Sequence, residues 1–192
     1  MNSKKFQAKD LVVTALLMAC GFVLYALCAL LAMTPYTMVL VLPAWSILAG
    51  ITYFLVAVKT KNPFMLFIYT AVMGMIDFYI PCILLCITAA AINLLVMRKK
   101  DICKTSTLTL GWVLTTLALS FGGMYVPFLF MASQTMELYA DSFGTEYLQI
   151  LTNMTTPWFA VLMLAVTALC ALLGSFIANR MLKKHFEKAG VV

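Results

Sequence analysis

The chain has 192 residues, of which 64% are hydrophobic and only 10% are charged. A soluble domain is nearer half apolar and a quarter charged, so this composition excludes an ordinary soluble protein and indicates an integral membrane protein. The formal net charge of +6 does not indicate nucleic-acid binding, because the basic residues do not form one patch.

The first apolar segment, residues 10–32, follows a basic N-terminus. Its length of roughly 22 residues exceeds the apolar region of a signal peptide, and no convincing cleavage site follows, so we interpret it as a retained helix. A stripe of small residues shares one face of this helix, interrupted only by Phe22: Ala15, Ala19, Ala26 and Ala29. Ala15 and Ala19 form a small-xxx-small pair, which permits close helix packing in lipid. Packing inside the chain's own bundle and docking of another membrane protein are both open interpretations.

A second apolar segment, residues 38–58, follows a short uncharged turn and stops at Lys59. Residues 63–97 then hold two shorter segments, 63–76 and 79–97, with Asp77 at the turn between them. Lys59 and Arg98 should both be cytoplasmic, so the number of crossings between them is even. The segment 63–76 is short for a hydrocarbon layer of about 30 Å, and a re-entrant pair is the alternative.

The last two apolar segments are residues 107–131 and 157–180, and the chain between them, 132–156, is acidic. Apolar residues recur there at helical spacing: Met136, Tyr139, Phe143, Tyr147, Ile150 and Met154. This pattern predicts an amphipathic helix or helix pair, broken near Gly144, that forms an outer lid. Thr156 and Pro157 are typical of a helix start. Trp112 and Tyr125 suit the aromatic belts at the membrane interfaces.

The basic residues set the predicted orientation. All 13 Lys and Arg residues lie in four clusters at the ends of apolar runs. The clusters are Lys4/Lys5/Lys9, Lys59/Lys61, Arg98/Lys99/Lys100/Lys104 and Arg180/Lys183/Lys184/Lys188. Cytoplasmic loops carry such an excess of positive charge. The sequence therefore predicts one all-α membrane domain, 1–192, a bundle of six transmembrane helices with both termini in the cytoplasm.

The sequence contains no catalytic constellation. The only histidine, His185, lies in the basic tail, so no histidine-based dyad lies inside the membrane. Cys82 and Cys86 share a helical face, but no histidine or carboxylate joins them at metal-ligand spacing. There is no phosphate-binding loop for ATP. We therefore expect a protein that is not an enzyme and that binds no metal or cofactor itself.

The candidate substrate-binding residues lie in the outer half of the predicted bundle. An ionisable group at membrane depth often marks a binding site, whereas Asp77 in a solvated loop would mean little. The outer aromatic residues suit either an interfacial belt or a concave pocket, and both interpretations stay open. The candidates are Tyr36, Asp77, Tyr79, Tyr125, Tyr139 and Trp158.

Several features together resemble one known family. They are the Ala15-x-x-x-Ala19 pair, six spans in a chain of this length, Thr156-Pro157-Trp158 at the end of the outer loop, and the tail from Leu182 that continues Lys-Lys-His-Phe-Glu-Lys-Ala-Gly. The chain resembles, over essentially its whole length, the Trep_Strep family of substrate-binding (S) components of energy-coupling factor (ECF) transporters.

This resemblance implies a multi-pass subunit of the bacterial cell membrane that captures a micronutrient from outside. It further implies docking, through Ala15 and Ala19, on a transmembrane coupling (T) subunit driven by two ATPase subunits that use ATP. In related S components the ligand lies under the outer loops, which here are residues 34–38, 76–79 and 132–156. The alternatives are a self-sufficient transporter or channel acting as an oligomer, and a membrane-embedded enzyme.

Overall fold

Helices account for nearly all of residues 7–76, 79–100, 102 and 104–186, which the structure, a computed structural model, describes. A 3₁₀ turn (Leu30–Met33) and a π-helical turn (Phe121–Tyr125) interrupt the series. The α-helices within these ranges are α1 (Ala8–Ala29), α2 (Pro35–Met38), α3 (Val41–Leu48), α4 (Gly50–Thr60), α5 (Pro63–Met73), α6 (Ile80–Lys99), α7 (Thr105–Ser120), α8 (Val126–Phe130), α9 (Ala132–Phe143), α10 (Thr145–Met154) and α11 (Pro157–Phe186).

Five helical stretches of the described chain are long and apolar enough to cross a membrane: Ala8–Met33, Pro35–Thr60, Ile80–Lys99, Thr105–Phe130 and Pro157–Lys184. The prediction of an all-α membrane bundle is therefore confirmed. Helix α5 is the exception in length, since its 11 residues extend only about 16 Å at 1.5 Å per residue.

Three neighbouring helices bury one face of helix α5, which packs against α1, α4 and α6. Its fully buried side chains are Met65, Leu66, Tyr69, Thr70 and Met73. Phe64, by contrast, is exposed. A short helix is tolerated in a membrane bundle where protein contacts its ends, because lipid cannot hydrogen-bond the free N–H and C=O groups.

The two small-residue pairs lie in different environments. Gly174 lets α11 approach α3 closely, because a Cβ atom there would lie 2.4 Å from the carbonyl oxygen of Ser46. Ala178, one turn later, is fully buried. By contrast, Ala15 and Ala19 are exposed, and α1 buries the opposite stripe: Asp10, Thr14, Met18, Gly21 and Cys28. The Ala15/Ala19 pair therefore lies outside the chain's own bundle.

Aromatic side chains form the centre of the bundle. Trp45 and Trp112 are fully buried with their ring centroids 5.2 Å apart. The Trp112 indole N–H donates to the carbonyl oxygen of Ser46 at 2.9 Å, so its polar atom has a partner inside the protein. Tyr125 is also fully buried. The prediction that Trp112 and Tyr125 belong to interfacial belts is therefore wrong, because both rings pack between helices rather than against lipid.

Polar side chains also join the helices. The Asn93 amide on α6 donates to the carbonyl oxygen of Gly111 on α7 at 3.0 Å. Thr70 on α5 and Thr115 on α7 are hydrogen-bonded at 3.0 Å. Such bonds between helices stabilise membrane bundles, where the hydrophobic effect adds little to helix association.

Residues 132–154 form a helical hairpin, α9 and α10, which we call the lid. Gly144 separates the two helices with a φ of 83°, a conformation that glycine adopts readily, so the predicted break is confirmed. On α10 the buried residues are Leu148 and Leu151, while Tyr147 and Ile150 of the predicted apolar pattern are partly buried. Helix α10 packs against α2 and α8. After the lid, Thr156 accepts a hydrogen bond from the backbone of Phe159 at 3.3 Å and caps α11.

Candidate binding site

A cavity of about 270 Å³ lies between the helical bundle and the lid. The first two spans contribute Tyr25, Ala29, Ala32, Met38, Val39, Val41 and Leu42. Tyr79, which precedes α6, and the α7–α8 region form another wall; the α7–α8 residues are Ser120, Gly123, Met124, Pro127 and Phe128. The lid contributes Thr135, Tyr139, Phe143 and Leu148. The cavity thus brings together residues that are distant in sequence and that meet at one end of the bundle.

The cavity lies at the ends of the helices that are remote from the basic residues. Tyr25 lies late in α1, which begins near Lys9, and Tyr79 precedes α6, whose last turn contains Arg98. Phe128 lies in α8, at the far end of the helical stretch that Lys104 precedes. Each of these helices therefore has a basic end and a cavity end.

The π-helical turn Phe121–Tyr125 shapes one wall of the cavity. Here the N–H of Val126 donates to the carbonyl of Phe121, five residues earlier rather than four. Gly122 lets the turn approach α6, because a Cβ atom would lie 2.7 Å from Cα of Cys82. The next residue, Gly123, lines the cavity. Such π turns inside helices are frequent at functional sites.

The lid is fastened to the bundle at two places. The Thr135 hydroxyl lies 3.1 Å from the Pro127 carbonyl oxygen and 2.9 Å from that of Met131, to both of which it can donate. At the other end, the Tyr147 hydroxyl donates to the carbonyl oxygen of Ala32 at 2.6 Å. Burial raises the pKa of Tyr147 above its ordinary value of 10.0, so the donor keeps its proton at neutral pH.

Aromatic rings continue along the inner side of the lid. The ring centroids of Tyr139 and Phe143 are 6.3 Å apart, and those of Phe143 and Tyr147 are 5.3 Å apart. The Tyr79 hydroxyl donates to the sulfur of Met131 at 2.7 Å and joins the start of α6 to the chain just before the lid. Two adjacent rings, Tyr139 and Phe143, therefore form part of the roof of the cavity.

Five of the six residues that the sequence singled out are described, and they fall in three places. Tyr79 and Tyr139 line the cavity. Tyr125 is buried in the core, one residue after cavity-lining Met124. Tyr36 and Trp158 lie outside the cavity and are 62% and 84% exposed. Asp77 lies outside the described residues.

Sequence reasoning did not single out most of the cavity wall. Tyr25, Met38 and Phe128 belong to continuous apolar runs, in which periodicity does not distinguish a cavity from a core or a lipid-facing position. One usable signal was the Gly122-Gly123 pair four residues before Pro127, since two glycines and a proline within one span point to irregular helical backbone.

The described cavity-lining residues contain no Asp, Glu, Lys, Arg or His. Their polar atoms are hydroxyl and backbone groups, and the remaining surface is aliphatic, aromatic or thioether. No three His, Cys, Asp or Glu residues of the described chain come together as a metal site. The lining is suited to holding a small molecule by shape and apolar contact.

Comparison with known proteins identifies the family. The model of the family described as hypothetical bacterial integral membrane protein (Trep_Strep) matches residues 8–188. The chain belongs to the Trep_Strep family. Neither a curated protein nor a solved structure matches it. The Trep_Strep description agrees with the apolar helical bundle described above and assigns the family no substrate or partner.

Proposed function

We propose that the chain is the substrate-binding (S) component of an ECF-type importer. In this proposal it captures a small micronutrient from outside the cell and delivers it to a T subunit and two ATPases. The observation on which the proposal depends is the lidded cavity at the end of the bundle opposite the basic residues. The chain itself does no chemistry, and ATP is hydrolysed by its partners.

The orientation follows from charge. Lys and Arg are enriched on the cytoplasmic side of membrane proteins, so the helix ends near Lys59, Arg98 and Arg180 face the cytoplasm. The cavity and the lid then face the outside of the bacterial cell membrane. In this proposal α5 and α6 are the two crossings between Lys59 and Arg98, both of which lie inside. The chain then crosses the membrane six times, which places both termini in the cytoplasm.

The lid supports capture rather than free conduction. A channel needs a continuous path, whereas this cavity is roofed by α9 and α10, which Thr135 and Tyr147 fasten to the bundle. Lids come from the less stable parts of a fold because they must open. The lid has few deeply buried side chains, which are Thr135, Leu148 and Leu151. This is the composition expected of a segment that opens and closes.

The exposed stripe on α1 supports docking on a partner helix. Ala15 and Ala19 are on the surface of the bundle, where a lipid-facing helix has no need of small residues. Their short side chains let a second helix approach closely, which favours association in lipid. The T subunit is the partner that we assign to this face.

Co-purification tests this proposal. The chain should co-purify with a T subunit and two ATPases when expressed from its native host, and Ala15→Leu with Ala19→Leu should abolish that association. Leu16→Ala is a matched control, since this exposed neighbour lies off the stripe. Loss of co-purification in the Ala15→Leu, Ala19→Leu variant, but not in Leu16→Ala, supports the proposal. An oligomer of the chain with no T subunit would contradict it and favour a self-sufficient transporter.

A further inference from the structure

We propose that the captured molecule is uncharged and mainly apolar. This inference rests on the proposed function and names the class of substrate. Two features of the cavity carry it: its lining and its volume.

The described lining residues disfavour a charged ligand. None of the described lining residues carries a charge, and the walls are made of side chains such as Val39, Leu42 and Phe128. An ionised group that leaves water for such a surface loses its hydration without gaining a counter-charge, and the cost is large. A neutral ligand escapes this cost, and its apolar surface is stabilised by burial.

The volume sets the size of the ligand. A cavity of about 270 Å³ would hold about nine water molecules at their liquid volume of ~30 Å³ each. This is space for a molecule on the order of ten to fifteen non-hydrogen atoms. The rings of Tyr139 and Phe143 on the lid match a flat or aromatic molecule of that size.

Three matched probes test the inference on the full chain in lipid nanodiscs. They share one ring system: naphthol, which is neutral; naphthoate, an anion; and naphthylmethylammonium, a cation. Binding is measured by probe fluorescence, with subtraction of protein-free nanodiscs. We expect both ions to bind at least about a hundredfold more weakly than naphthol.

Two variants locate the site. Ala29→Phe places a phenyl ring in the cavity and should abolish saturable naphthol binding, whereas Leu27→Phe on the exposed face of the same helix should not. Phe143→Ala removes a cavity-lining ring from the lid and should weaken naphthol about two- to tenfold. Ser142→Ala, the exposed neighbour on the lid, is its control. Phe143→Ala only removes side-chain atoms, so it remains informative if Ala29→Phe does not fold.

Two results would overturn the inference. One is an ion that binds as tightly as naphthol and is displaced by Ala29→Phe, which would show a charged substrate in the same cavity. The other is naphthol binding that neither cavity variant changes. Both results leave the docking assay of the proposed function untouched. Failed docking with the expected order of probes would contradict the importer and leave the ligand class standing.

Discussion

Replacing Tyr147 with Phe should loosen the lid without unfolding the bundle. The substitution removes the hydroxyl that donates to the carbonyl oxygen of Ala32 at 2.6 Å, and the ring remains to stack on Phe143. A single neutral hydrogen bond contributes about 1 kcal/mol, because water replaces it in the open state. The equilibrium constant for lid opening should therefore rise about fivefold.

Hydrogen exchange measures this change directly. Amides of α9 and α10 should exchange about fivefold faster in Tyr147→Phe, and those of α6 and α7 should be unchanged. Ser142→Ala removes an exposed hydroxyl from the same lid and serves as the control. Equal exchange of the lid in Tyr147→Phe and in the original protein would refute the argument that this hydrogen bond holds the lid closed.

The same contact has a predictable pH dependence. The neutral hydroxyl is the donor, and burial raises the pKa of Tyr147 above 10.0 in the closed lid. The closed state therefore binds this proton more tightly than the open state. The hydrogen bond stabilises the closed lid fully when the pH is below the ordinary tyrosine pKa. This stabilisation is lost as the pH rises through the raised pKa of Tyr147 in the closed lid. Lid exchange should accelerate in that alkaline range in the original protein, and the acceleration should be absent from Tyr147→Phe.

Three further predictions concern the bundle. Gly174→Ala should lower the free energy of unfolding in detergent by about 1–3 kcal/mol, because the new Cβ would lie 2.4 Å from a backbone carbonyl of α3. An unchanged melting temperature would contradict this packing. Asn93→Leu should lower the free energy of unfolding by about 0.6–2 kcal/mol, because it removes the hydrogen bond to Gly111. A more stable variant would contradict the role of this hydrogen bond in joining α6 to α7. An impermeant thiol reagent outside the cell should label Ser142→Cys and not Lys61→Cys; labelling of Lys61→Cys would overturn the orientation.

The sequence predicted the helical framework because its signals are local. The proline at position 157 and the glycine at position 144 act on the backbone through their own φ preferences, so a helix start and a break could be expected there. The π turn at Phe121–Tyr125 was not expected, and it lies where Gly122 comes close to Cys82 on another helix, a contact that local sequence signals do not report.

The aromatic residues show why the site was harder to predict. Tyr139, Tyr125 and Trp158 are all aromatic residues with one polar group, yet they line the cavity, fill the core and face outward respectively. This chain is apolar nearly throughout, because lipid rather than water surrounds its helices. Residues that face lipid and residues that face the core are therefore equally apolar, and polarity does not distinguish them. Only the packing of distant helices distinguishes the three positions.

Native mass spectrometry of gently purified protein tests the central claim most directly. The account predicts that the protein retains one small, uncharged molecule, and that the added mass is lost from Ala29→Phe and kept by Leu27→Phe. A protein that carries no such mass, or that carries it equally in both variants, would contradict the claim that this cavity captures a substrate.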